Sequence, residues 1–324
     1  MNHQFNVATL NLFNFVAPPL ACHELEKIYT HQQWHQKCDW TQRQIDTLMP
    51  DILGFQEIFS PNELERLCIQ SGLSNFCVAT EQLPNDGHVC QHSTVGLATR
   101  FQIISSKAVE PTAEIAAAMG VQAHEIFSRN PLCATLQVPN FGPLRVYVAH
   151  LKSGRSKLNE CHQVVLSKAQ QQLVGNWNAN AQRGLEVTAL INDVMRQYQH
   201  APLPTVIMGD LNDSLDSALL SSLKQTFDAQ RNSVWRMHDA FELAAQHSAA
   251  DCHLNRSPSF YWGAQGNYLD QILLSAEFHP DCEHNLAHVE QVITHDSHLV
   301  NYRPSCDQQC SDHAAIQATI EIRR

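Results

Sequence analysis

Two near-continuous apolar runs, Leu144–Leu151 (LRVYVAHL) and Val206–Asp213 (VIMGDLND), stand on either side of the clearest helical periodicity in the chain. Over Arg183–Tyr198, the residues Val187, Leu190, Ile191, Val194, Met195 and Tyr198 recur on one helix face. Strand, helix and strand in that order predict a crossover unit within a mixed sheet. Each run ends in polar groups. His150 closes the first, ahead of the Gly-containing segment Lys152–Ser156, and Asp210, Asn212 and Asp213 close the second.

Shorter elements surround this unit. Phe5–Leu12 reads as a strand with Asn11 and Asn14 at its exit. Trp34, Cys38, Ile45 and Leu48 have helical spacing within Trp34–Met49, and Pro50 stops that helix. Asp51–Gln56 then reads as a short buried strand and Pro61–Ile69 as a helix. Phe76–Ala79, Val95–Ala98, Leu132–Val138, Phe260–Trp262, Tyr268–Ser275, His288–Thr294 and Ala314–Ile322 are further expected strands. The segment from Glu277 to Ser311, rich in His, Asp, Cys and Asn, reads as a long Cys/His-rich loop insertion around one strand, in a single domain spanning 1–324. Without a linker or a fixed-period repeat, the strand-heavy rhythm of both halves suits two packed sheets.

An apolar share of 44% over 324 residues allows a large core in one α/β unit. No apolar run approaches the ~20 residues of a membrane-spanning helix. The start, MNHQFNVATLNLF, lacks the basic and long apolar segments of a secretory signal, so the expected location is cytoplasmic. Eleven scattered cysteines suit reduced thiols better than a disulfide framework. The net charge of −11 argues against a broad basic surface that grips nucleic acid. It is compatible with a transient nuclease, in which acids gather round a divalent cation while a few Lys and Arg meet one phosphate.

Asn11, Glu57, His150, Asp210, Asn212, Asp270, Asp312 and His313 all lie where apolar strands are expected to end. A single one is ordinary turn chemistry. Together they point to a shared site. The ordered segments TLNLFN, DILGFQE, HLKSGR, GDLND, YLDQILL and SDHAAI, within residues 5 to 322, resemble those of the endonuclease/exonuclease/phosphatase superfamily, which has the fold of deoxyribonuclease I. Each motif is short and individually weak; the ordered set is specific.

The resemblance implies an α/β, four-layer sandwich of two packed mixed β-sheets flanked by helices, with the site on loops at one edge. It also implies hydrolysis of a phosphoester with a divalent metal, Mg²⁺ or in its place Mn²⁺. Glu57, Asp312 and Asn11 match the metal carboxylate, the acid near the metal and the amide beside it. Asp210 and Asn212 match the acid and amide of the GDLN motif, Asp270 the acid that orients the catalytic histidine, and His313 that histidine. His150 matches a histidine that contacts phosphate. In deoxyribonuclease-like members it pairs with the glutamate of an Arg-Glu-Pro segment, whereas here Arg129-Asn130-Pro131 supplies a neutral amide.

These residue types suit the reaction. Phosphoester hydrolysis needs a positioned water and charge compensation on the nonbridging oxygens. Mg²⁺ takes oxygen ligands and keeps several waters, so one or two carboxylates suffice. Asp210 can take the proton of the attacking water; His313, oriented by Asp270, can do the same, and the sequence leaves both assignments open. Asp312 and His313, adjacent on an extended segment, are expected to project to opposite sides, one to metal and one to phosphate. Arg129, Lys152 and Arg155 are candidate phosphate clamps, weighed against simple solvation. Asp213 is expected to form the turn.

Two motifs have plainer readings. Cys282, His284, Cys306 and Cys310 resemble no strong zinc spacing, so loop thiols are favoured over a metal site. Tyr261 and Trp262 are placed in core or rim packing ahead of a stacking role. The expected activity is that of a nuclease or phosphodiesterase, with a phosphoester partner that includes nucleic acid. Hydrolysis of sugar or inositol phosphates or of phospholipid headgroups, and a noncatalytic binding protein with the same fold, are the alternatives. The loops between Asn85 and His92 and between Glu277 and Ser311 are expected to select the substrate.

Overall fold

The computed structural model describes residues 3–81, 88–156, 166–224, 236–247 and 256–323, so residues 85–87 of the first substrate loop lie outside it. Two six-stranded sheets dominate. The first has the order Ala287–His295, Ala315–Ile322, Gln4–Phe15, Ile52–Ile58, Thr94–Thr99, Asn75–Val78. The second has the order His238–Asp239, Asp270–Leu274, Thr205–Asp210, Gly142–His150, Leu132–Val138, Gln102–Ala108. Both are mixed. Gln4–Phe15 runs parallel to Ile52–Ile58 and antiparallel to Ala315–Ile322, while Thr205–Asp210 runs parallel to Gly142–His150 and antiparallel to Asp270–Leu274.

Strand alternation sorts the apolar residues into layers. Val146 and Val148 face inward to meet Val7, Ile52 and Leu97 of the opposing sheet, together with Val206 and Met208. Tyr147 and Ala149, between them in sequence, face outward onto Val187, Leu190 and Val194 of the Lys168–His200 helix. On the far side, the His31–Leu48 and Pro61–Gln70 helices lay Trp40, Ile45, Leu64 and Cys68 on Leu10, Leu53 and Phe55. Helix, sheet, sheet and helix form the four layers. Both faces of the central strands are covered, which explains why their sequences are apolar at consecutive positions. Each fully buried Leu, Val or Phe side chain contributes roughly 1.5–3 kcal/mol.

Several elements differ from the sequence reading. The helix expected over Arg183–Tyr198 starts at Lys168, where Ser167 and Gln170 form a capping box. Its added turns expose Leu173 and Trp177, so no amphipathic stripe marks them. Gln102–Ala108 is an edge strand whose residues are mostly exposed, and its polar QIISSKA sequence hides it from any burial pattern. The Ala113–Met119 and Ala240–His247 helices are likewise additional. The strand expected at His288–Thr294, within the 277–311 segment, is present as Ala287–His295, an edge strand paired with Ala315–Ile322. No helix among the described residues is long and apolar enough to cross a membrane.

Candidate active site

Register brings the strand-end residues together. Asp210 is paired with His150 on the parallel side and with Asp270 on the antiparallel side, so all three side chains share one sheet face. Asn11 and His313 arrive from the other sheet, at the end of Gln4–Phe15 and just before Ala315–Ile322. Within the second sheet Gly209 lets its strand lie close against Gly142–His150: it holds φ +138°, and a Cβ there would lie 1.9 Å from the Ala149 carbonyl oxygen. Two residues on, Asn212 adopts φ 55° and donates its backbone N–H to Asp210 Oδ1 at 2.9 Å. Gly209 and the Asn212 backbone N–H thus aim Asp210, while the Asn212 side-chain amide donates to the Leu151 carbonyl at 2.9 Å.

The other carboxylate oxygen, Asp210 Oδ2, is the hub. Asn11 Nδ2 donates to it at 3.0 Å, His150 Nε2 lies 3.5 Å away and His313 Nε2 3.8 Å away. On its far side, His313 Nδ1 meets Asp270 Oδ2 at 2.8 Å. The backbone of His313 is pinned too. Its N–H donates to Ser311 Oγ at 3.0 Å, Ser311 Oγ donates to the Asn11 carbonyl at 2.6 Å, and His298 Nε2 lies 3.0 Å from the His313 carbonyl.

Burial and neighbouring charge set the protonation. Burial pushes the Asp210 carboxyl up, and Asp270 adds to this against the opposing pull of His313. For His313 burial disfavours the imidazolium, but the Asp270 and Asp210 carboxylates outweigh it and hold its pKa above the ordinary histidine value. His150 goes the other way: burial, then Arg129, His313 and Lys152, keep it neutral. Its Nδ1 is buried without a partner among the described residues, and Asn130 donates instead to the Val109 carbonyl at 2.9 Å.

Glu57 lies at the end of the Ile52–Ile58 strand with φ 61°, a backbone conformation costly for a non-glycine residue. Its carboxylate receives the Asn14 N–H at 2.9 Å and Asn11 Nδ2 at 3.4 Å, and no Lys, Arg or His pairs with it among the described residues. Asn11 Oδ1 accepts from Phe13 N–H at 2.9 Å, so this amide turns N–H toward both carboxylates. Its Oδ1 keeps a second lone pair beyond the Phe13 bond, so this hydrogen bond does not decide the metal-ligand role expected for Asn11. Asp312 is partly exposed, and its carboxyl is raised by burial and by Glu57 against the pull of His313. It sits in a bend, so its Oδ1 comes within 4.0 Å of His313 Nε2; the opposite-sided placement expected for an extended segment is not adopted.

Glu57, which pairs with no basic residue among the described ones, and Asp312, which only His313 approaches at 4.0 Å, are oxygen donors that fit a hard divalent ion keeping part of its water shell. Asp210, Asp270 and His313 also gather, with ligand atoms all within 4.8 Å of one another. His313 Nδ1 and Asp270 Oδ2 already satisfy each other there, and an imidazole-bearing set suits softer metals. Glu57 and Asp312 present oxygen donors alone. A cleft of about 650 Å³ bounded by Asn6, Asp51, Arg100 and Glu321 opens at the opposite strand ends and holds none of these groups.

The expected phosphate clamps separate. Arg129 donates to the His150 carbonyl at 3.2 Å and so borders the cluster. Lys152 Nζ folds onto its own loop, donating to the Ser153 and Arg155 carbonyls at 3.0 Å each, and Arg155 is exposed. Asp213 pairs with Arg183 at 3.3 Å and accepts the Ser214 N–H, as a turn former would. Cys282, Cys306 and Cys310 are free thiols outside any such three-ligand group among the described residues. Trp262 corrects the packing expectation, being 76% exposed at a hairpin tip.

Sequence reasoning missed Lys37, a fully buried helical lysine whose Nζ has no hydrogen-bond partner among the described residues. It lies 5.7 Å from the Phe13 ring and in the field of Cys310, Glu57 and Asp312. Its only sequence signal is its place between Trp34 and Trp40 on a helix. Ser311 and His298 were also missed, although Ser311 directly precedes the Asp312-His313 pair.

The profile of the Endonuclease/Exonuclease/phosphatase family matches residues 38–313. The chain belongs to this family. Its members hydrolyse phosphoesters with a divalent metal, and this endonuclease/exonuclease/phosphatase protein is an enzyme of that kind. Sequence search of curated proteins gives no match. Among solved structures, the fold is similar to the human Nocturnin catalytic domain with bound sulfate (17% identity, TM-score 0.61, covering 100% of this chain and 96% of that one). It is similar to D. rerio TDP2 complexed with a single-strand DNA product (13% identity, TM-score 0.56, 98% and 99% covered). An endonuclease/exonuclease/phosphatase from Bacteroides vulgatus resembles it as well (13% identity, TM-score 0.58, 99% of each chain).

Proposed function

We propose that this enzyme is a Mg²⁺-dependent phosphodiesterase or nuclease that cleaves its substrate by attack of an activated water. The observation that carries this reading is the convergence on Asp210 Oδ2 of Asn11, His150 and His313, with His313 tied to Asp270.

In this reading Asp210 is the base. Its Oδ2 accepts the proton of the attacking water as the water oxygen bonds to phosphorus; the ester P–O bond to the leaving group breaks, and the leaving oxygen takes a proton from solvent water. The raised pKa of His313 favours a cationic ring, so His313 offers an Nε2–H and positive charge to a nonbridging phosphate oxygen rather than accepting a proton. At 3.8 Å its distance to Asp210 is longer than a hydrogen bond, which leaves both groups able to engage the substrate. Asn11 restrains Asp210 and Glu57 together, and neutral His150 adds a donor beside the base. Arg129 supplies charge at the rim. A divalent cation held by Glu57 and Asp312 would compensate the remaining phosphate charge.

Sulfate bound to the Nocturnin domain and a single-strand DNA product bound to TDP2 support an oxyanion-bearing, nucleic-acid class of substrate. The test is hydrolysis of single-stranded oligonucleotides, plasmid, bis-p-nitrophenyl phosphate, and sugar and inositol monophosphates in Mg²⁺, Mn²⁺ or EDTA. Diester cleavage with Mg²⁺ that stops in EDTA is expected. Turnover of monoesters alone would move the assignment to a phosphatase, and no metal-dependent turnover at all would overturn it.

A further inference from the structure

The hairpin of Phe260–Trp262 and Gln265–Asn267 is built against the site. Phe260 forms an antiparallel bridge with His313, the Ala314 N–H donates to the Ser259 carbonyl at 2.7 Å, and the Phe260 ring lies 5.0 Å from the imidazole. Bridged residues project to the same side, so Phe260 and His313 share a face. Trp262, two positions further along the strand, returns to that face about 7 Å outward.

The hairpin is held in place from its other side. Tyr261 packs toward Gly266, where an added Cβ would lie 3.3 Å from its ring and 2.3 Å from Pro258 Cγ. Gly263 takes the left-handed turn position with φ +59°. The anchored strand thus carries one aromatic ring against the histidine and a second, 76% exposed, beyond it.

We propose that Trp262 is a specificity-determining residue that stacks on the nucleobase next to the scissile phosphate of a single-stranded nucleic acid. The charge balance favours this occupant. A chain of net charge −11 gains little from sequential phosphate contacts, so its hold on a strand must come from π-faces rather than from a basic groove. An indole tolerates any base, because each presents a flat π-surface. The proposal rests on the phosphodiesterase reading, but its binding step can be measured without turnover.

The experiment compares wild type, Trp262→Ala and Trp262→Phe with a labelled single-stranded oligonucleotide and an abasic oligomer of the same length and charge. Binding is followed by fluorescence anisotropy in EDTA, and KM and kcat are then measured in Mg²⁺. Trp262 is exposed, so both variants fold, as circular dichroism would verify. Trp262→Ala weakens oligonucleotide binding and raises KM on the order of ten- to a hundredfold. Its kcat stays near that of wild type, and Trp262→Phe retains most of the affinity. All three bind the abasic oligomer equally weakly. Wild type binding both oligomers alike, or Trp262→Ala matching wild type on the oligonucleotide, would overturn the proposal. Base-dependent binding without hydrolysis of any diester would uphold it and defeat the catalytic reading; diester hydrolysis without base dependence would do the reverse.

Discussion

His313 Nδ1 lies 2.8 Å from Asp270 Oδ2, with both side chains buried at the foot of the Phe260–Asn267 hairpin. The carboxylate fixes the proton on Nδ1 and points Nε2 toward Asp210. Asp270→Asn keeps the shape but lets the amide offer either a donor or an acceptor, so the ring loses its fixed tautomer and a source of positive charge. A loss of roughly 10²–10⁴-fold in kcat is expected, with unchanged circular dichroism. An Asp270→Asn variant with wild-type kcat on a diester would show that the pair does not serve the reaction.

The proposed mechanism requires Asp210 ionised and His313 protonated. Since Asp210 is raised, kcat/KM climbs with pH through a value above the ordinary carboxylate range; since His313 is raised, the decline at alkaline pH lies above the ordinary histidine range. Asp270 contributes to both shifts. Asp270→Asn therefore moves the acid limb to lower pH and the alkaline limb to lower pH as well. A pH–rate profile of the residual activity checks the two movements together.

Glu57 accepts two amide N–H groups and pairs with no basic residue among the described ones. Glu57→Gln keeps a similar size and removes the charge. The dissociation constant for Mn²⁺, measured by calorimetry, is expected to rise at least about tenfold, and the Mg²⁺ concentration needed for half-maximal activity to rise with it. Equal Mn²⁺ affinity in the two proteins would place the metal elsewhere.

Lys37 is buried, and its ammonium has no hydrogen-bond partner among the described residues. Burial lowers its pKa from 10.5 to about 8, against the pull of Cys310, Glu57 and Asp312. Because the folded value lies below the unfolded one, the unfolded chain binds more protons between pH 8 and 10.5, and this residue costs stability that is recovered as pH rises through that window. Lys37→Met is expected to stabilise the fold by about 1–4 kcal/mol at pH 7. Its advantage over wild type shrinks toward pH 10.5. Urea unfolding of both proteins across this range, in Mg²⁺, measures the difference; a Met variant less stable at pH 7 would mean that the ammonium is held by interactions worth more than its burial costs.

What was legible in the sequence follows from where side chains lie relative to the pleat. Asn11, Glu57, His150, Asp210, Asp270 and His313 are polar residues that interrupt or follow strongly apolar strands, so each stands out against its neighbours, and the order of the motifs ties them together. Lys37 carries no such contrast, since a helical lysine ordinarily faces water and only tertiary packing buries it. His298 is one of nineteen histidines, and its role depends on a backbone carbonyl fifteen residues away. The Gln102–Ala108 edge strand is polar because little covers it. Trp262 was assigned to packing because aromatic residues favour strands and cores; whether a short hairpin turns its tip residue inward or outward depends on Pro258, Gly263 and Gly266, which no periodicity reveals.

The 3.0 Å hydrogen bond from Asn11 to Asp210 joins a strand of one sheet to a strand of the other. Neither sheet alone carries the full set: Glu57, Asn11 and His313 belong to one side, and Asp210, His150 and Asp270 to the other. Under the proposed mechanism a chain with only one sheet assembled lacks part of that set, so hydrolysis would report that both sheets have docked.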